Sequence, residues 1–165
     1  MCGVKMTINP IVVNNINYNL GKNVQYPNKM QNYCSFDNAK IASIVQEGEK
    51  ALPYIENVLK NTNDQNVALE GLYILNQMLD NNVKGIDKMY PTLSRFNYST
   101  SPDIQVMLSG IYRKTMPPDA FGPLNRMLAQ QIFYPNSPYF DPTEEIGGAI
   151  LEYIRFYGAN QGYKN

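Results

Sequence analysis

Histidine and tryptophan are absent from the 165 residues, and cysteine occurs only at positions 2 and 34. Without histidine there is no Ser-His or Cys-His nucleophile pair. Two thiols alone cannot close a zinc site, and whether Cys2 and Cys34 join in a disulfide stays open. Acids are missing from residues 1–36, which carry Lys5, Lys22 and Lys29, whereas the remainder carries 11 bases and 14 acids. A body with that balance lacks the basic field that attracts nucleic acid. No run approaches the ~20 apolar residues of a membrane span. Asn9, Pro10, Asn14 and Asn15 interrupt the apolar residues where a signal sequence would have its core. The expected location is the cytoplasm, with signal-independent export as the alternative. Gly147 and Gly148 lack the following Lys-Ser/Thr of a phosphate loop. No cofactor or metal is expected.

What is present fits one globular domain: 44% apolar and 17% charged residues, in a chain long enough to bury a core. The 21 asparagines and 13 tyrosines form no tracts and are read as codon bias. Residues 1–36 are rich in Asn, Gly and Pro and show no helical period, so they read as an irregular N-terminal tail, with a short extended segment over Ile8 to Val13. From Asp37 to about 158 the pattern is helical, and residues 159–165 read as a frayed end.

The first helix is expected over 37–48, capped by Ser35 or Asp37, with Ala39, Ile41, Ala42, Ile44 and Val45 as its apolar face. Three helix pairs follow. The first helices cover about 49–60, 84–96 and 119–133 and hold Pro53, Pro91 and Pro123; Pro91 is expected to kink its helix. The second helices start near Asp64, at Pro102 behind a Ser101 cap, and behind a Thr143 cap where Glu144 and Glu145 complement the positive helix end. Two of the second helices share a pattern. Asp64, Val67, Leu69, Gly71 and Tyr73 are repeated thirty-nine residues later as Asp103, Val106, Leu108, Gly110 and Tyr112. A period of this size implies hairpins that stack, each burying a face on the next.

With a proline in the first helix, an Asp closing the turn and a Val three residues on, residues 49–157 resemble the HEAT-repeat family of helical hairpins. The third unit has Pro123 but only Asp141 or Glu144 in the acidic role, which makes it a degenerate or capping repeat. Ala68 and Met107 stand where the family commonly has arginine. The resemblance implies an all-α, short right-handed α-solenoid of about three hairpins. It also implies a protein-binding scaffold whose groove is lined by the second helices.

Helical spacing places Asn66, Glu70, Tyr73 and Gln77 on one polar stripe, repeated by Gln105, Ser109 and Tyr112 with Arg113 beside it. These eight residues are the expected partner-binding surface, anchored by the two tyrosines. The alternative is that both tyrosines pack inward. Gly71 and Gly110 are expected where the first helix of the hairpin comes close. The partner would be a protein or peptide, or a second copy of the chain.

Enzymatic readings are weaker. Met1-Cys2-Gly3 is similar to the start of N-terminal-nucleophile amidotransferases, whose layered β fold this helical pattern does not offer. The acid pairs Glu47/Glu49 and Glu144/Glu145 leave a carboxylate-dependent hydrolase in the same groove as the competing class. The aromatic, proline-rich loop over 133–142 reads as a cover for the end of the core.

Overall fold

A computed structural model describes residues 38–133 and 142–160, together with two short strands, Val12–Val13 (β1) and Ile16–Asn17 (β2). The strands pair antiparallel, Val12 with Asn17 and Val13 with Ile16; β1 falls within the extended segment expected over Ile8 to Val13, whereas its partner β2 was not expected. The rest of that segment, both cysteines, the caps at Ser35 and Asp37, most of the aromatic loop and the final five residues lie outside the described residues. Beyond position 17 every described element is helical.

The helices begin where the chemistry asks. Helix α1 (Asn38–Glu47) ends at Gly48, whose φ of +61° favours glycine. A single 3-10 turn leads into α2 (Leu52–Asn61), where Pro53 sits in the first turn and its missing N–H is not needed. Thr62 is extended, and Asp64 caps α3 (Gln65–Asp80) by accepting hydrogen bonds from the Asn66 and Val67 amides at 2.8 and 3.4 Å. Ser101 caps α5 (Pro102–Thr115), its hydroxyl accepting from the Ile104 amide at 3.4 Å.

The helix expected over 84–96 is broken. Gly85 turns the chain at φ +96°, and Ile86–Met89 is a 3-10 segment. Only Tyr90–Leu93 (α4) is α-helical before a second 3-10 turn. Pro91 stands in the first turn of this fragment: a proline in a helix interior would clash with the carbonyl four residues earlier, so the helix restarts there rather than kinking. Helix α6 (Phe121–Phe133) carries Pro123 in its first turn. Helix α7 (Pro142–Asn160) starts one residue before Thr143, which therefore lies inside the first turn and is not the cap, and it runs two residues past the expected end.

Helices α3, α5 and α7 lie side by side. Near the N-terminal ends of α3 and α5 the Gln65 amide donates to the Ser101 hydroxyl at 2.8 Å, and at their C-terminal ends Lys114 pairs with Asp80. The two helices are therefore parallel. Arg113 reaches Glu152 at 3.6 Å, and the Tyr153 hydroxyl donates to the Pro117 carbonyl at 2.6 Å, which sets α7 parallel to α5. Helix α2 packs on α3 and α4, α6 packs on α7, and α1 packs on α3. The core between them holds Leu59, Leu69, Leu72, Leu75, Leu108, Ile111 and Leu124, all fully buried. Each such side chain contributes about 1.5–3 kcal/mol by leaving water.

The two glycines of the doublet meet different neighbours. A Cβ at Gly71 would stand 2.8 Å from Leu59 of α2, the first helix of the same hairpin, as expected. At Gly110 it would stand 2.6 Å from the Asn76 side-chain oxygen of α3, not from a first helix. Asn76 uses the gap to donate to the Met107 carbonyl at 2.8 Å, a polar tie between two second helices.

Candidate functional site

The predicted stripe does not form one surface. Glu70, Gln105, Ser109 and Tyr112 are buried, Asn66, Tyr73 and Gln77 are half-buried, and Arg113 is exposed. The cause is what packs against each helix. On α3 the slot assigned to solvent is taken by α1, and Glu70 forms an ion pair with Lys40. On α5 the same slot faces the 3-10 turn after α4 and helix α6. Gln105 donates to the Ser99 carbonyl at 2.7 Å and to Gln130, and accepts from Gln131. Ser109 donates to the Val106 carbonyl at 2.8 Å.

Tyr112 is fully enclosed. Its hydroxyl donates to Asn97 Oδ1 at 2.6 Å, and its ring lies 5.6 Å from that of Tyr90. Burial pushes its phenol well above the usual range, so it stays a protonated donor. Tyr112 is thus a core residue, and its expected partnership with Tyr73 as a surface anchor is corrected. Asn66 serves its own helix start, its amide bonded to Asp64, and Arg113 lies against Gly148 and Glu152.

Tyr73 and Gln77 do meet at an open concavity. A groove of about 590 Å³ runs between α1 and the C-terminal half of α3. It is lined by Asn38, Ile41, Ala42, Val45 and Gln46 from α1, by Tyr73, Gln77 and Asn81 at the end of α3, and by Val83. Ile41, Val45 and Val83 supply apolar surface, four carboxamides and one phenol supply polar groups, and no Asp, Glu, Lys or Arg is among the lining residues. The Asn81 amide donates to the Gln77 carbonyl at 2.8 Å, which fixes that wall. Such a surface can accept an uncharged polar chain with small apolar side groups, since a carboxamide both donates and accepts.

Sequence reasoning missed most of this lining because it placed the surface on the second helices alone. The available signal was α1 itself: its expected apolar face held five residues, and only Ile41 and Ile44 of these are buried. Ala42 is left exposed in the groove.

A second, smaller concavity of about 260 Å³ lies at the turn before α3, between Thr62–Gln65 and Arg95, Phe96, Ser99 and Ile104. Arg95 donates to the Leu59 and Thr62 carbonyls there. Asp103 in the first turn of α5 is buried, and its Oδ1 has no hydrogen-bond partner among the described residues. Desolvation raises its carboxyl pKa to about 6. Among the described residues no group of three or more His, Cys, Asp or Glu side chains is placed to hold a metal, and no helix is long and apolar enough to cross a membrane.

Set against known proteins, the chain matches no family model, no curated protein and no solved structure.

Proposed function

We propose that this chain is a cytoplasmic protein-binding scaffold, a short HEAT-like array whose groove between α1 and α3 holds a segment of a partner polypeptide. The observation that carries the reading is the groove's lining: carboxamides and a phenol over apolar side chains, in a space of about 590 Å³. That size suits a small ligand or a few residues of peptide. The mixture of donors and acceptors suits a peptide main chain, and the apolar residues suit its side chains.

The arrangement of the helices supports the array. The three second helices are parallel neighbours, and α2 and α6 pack on α3 and α7, the second helices of their own hairpins. The Asn76 tie and the Asp80–Lys114 pair link successive second helices in place of the arginine contacts that Ala68 and Met107 preclude.

The competing reading, a carboxylate-dependent hydrolase, is disfavoured at this groove because no carboxylate lines it. The test compares proteins retained from host extract by the wild type, by Ala42→Arg and by Arg113→Glu. A charged side chain at Ala42 intrudes on the groove, whereas Arg113 lies on α5 away from it. The expected result is a partner lost with Ala42→Arg and kept with Arg113→Glu. Retention of every partner by Ala42→Arg contradicts the reading.

A further inference from the structure

The ribbon of β1 and β2 and the groove between α1 and α3 each supply what the other lacks. Residues of a cross-strand pair share one face of a ribbon, so Val13 and Ile16 stand together on one side and Val12 and Asn17 on the other. The two strands pack on each other rather than on a helix. A two-stranded hairpin is marginal in water and gains stability when its apolar face is covered. Both strands are edges, so main-chain donors and acceptors along each are left to pair elsewhere. In the groove, Ala42, Val45 and Val83 keep apolar surface open, and four carboxamides offer donors and acceptors around them. No charged side chain is among the described lining residues, and the sequence has none between Lys5 and Lys22, a stretch that contains the whole ribbon. The connection also fits. Residues 18–37 join β2 to Asn38, which itself lines the groove. A connection of about 20 residues spans up to about 70 Å, so reach is no obstacle, and it presents the ribbon at an effective concentration on the order of millimolar.

We infer that the ribbon is a strap for this groove. Without a partner, Val13 and Ile16 seat on Ala42, Val45 and Val83, and a partner polypeptide binds by displacing them. The inference rests on the reading of the groove as a site for polypeptide and adds its regulation by the chain's own N-terminal segment. A groove closed part of the time binds its partner more weakly in proportion to the fraction that is open.

The test uses the purified full chain with a photo-crosslinking amino acid at Ala42 and, as reference, at exposed Lys60. At about 1 µM, far below the effective concentration of the tethered ribbon, adducts form within a chain rather than between chains. Mass spectrometry of the monomer should map adducts of position 42 to residues 12–17 and find none there from position 60. Ile16→Asp puts a charge on the seated face and should lower the yield by about fivefold or more, whereas Lys29→Asp, outside the ribbon, should leave it within about twofold. In host extract Ile16→Asp should raise the adduct between position 42 and another polypeptide by about twofold or more, because the groove is then open. The strap is overturned by the absence of adducts between position 42 and residues 12–17, by a yield that Ile16→Asp leaves intact, or by a partner adduct that Ile16→Asp does not raise. A partner adduct without the strap adduct overturns the strap alone and leaves the groove reading standing. The strap adduct without any partner adduct supports the strap and removes the partner.

Discussion

At the scale of single residues, the doublet turns out to be two sets of core contacts rather than two copies of one surface. Tyr112→Phe removes the hydroxyl that Asn97 accepts in a buried site, and should cost about 1–3 kcal/mol in urea denaturation. Gly71→Leu drives a side chain into Leu59 and should cost about 2–4 kcal/mol. Gly110→Ala displaces Asn76 from the Met107 carbonyl, so the double variant Asn76→Ala/Gly110→Ala should melt above Gly110→Ala alone, the helix keeping its gain from alanine without the clash.

Asp103 supplies a pH dependence with a definite sign. Its folded pKa of about 6 lies above the ordinary 3.8, so between those values the folded state holds more protons than the unfolded one. The contribution of this residue to stability is therefore full below about pH 4 and falls as pH rises through 6, by about 1–3 kcal/mol. Asp103→Asn should flatten this part of the profile and be more stable than wild type at pH 8, as read by denaturation midpoints across pH.

At the scale of elements, the starts of α2, α3 and α5 were legible because they depend on local chemistry, whereas the cap expected at Thr143 was not the one used. Asp64, Ser101, Pro53 and Pro102 act within one turn, and the structure uses each of them there. The broken helix around Pro91 was half legible: proline signals an interruption, but whether the chain kinks or restarts depends on Gly85 and on the packing of α4 against α2. The stripe was not legible. Period alone says that Glu70, Gln105 and Tyr112 share a phase with Tyr73, not that α1, Asn97 and α6 will cover that phase. Its polar residues found partners inside the protein, as buried polar groups must.

The pairing of α1 with α3 yields its own prediction. Glu70 is fully buried and Lys40 keeps 20% of its side chain exposed, so Lys40→Met leaves a buried acid without this partner. It should cost roughly 2–4 kcal/mol, while Lys40→Met/Glu70→Leu should recover much of the loss. Thermal melts of the three proteins decide it.

At the scale of the whole molecule, α3, α5 and α7 lie side by side, and α1 packed on α3 leaves a groove at one end. The helical architecture was foreshadowed by the prolines and the doublet, but the groove depends on α1, which lies outside the repeat. That is why the groove lies where the repeat period gives no guidance. The groove is the central claim, and a photo-crosslinking amino acid placed at Ala42 tests it most directly, with the same residue at exposed Lys60 on α2 as reference. In the native host, irradiation should produce a discrete adduct with another polypeptide from position 42 and none from position 60. No adduct from position 42, or the same adduct from both, would contradict it.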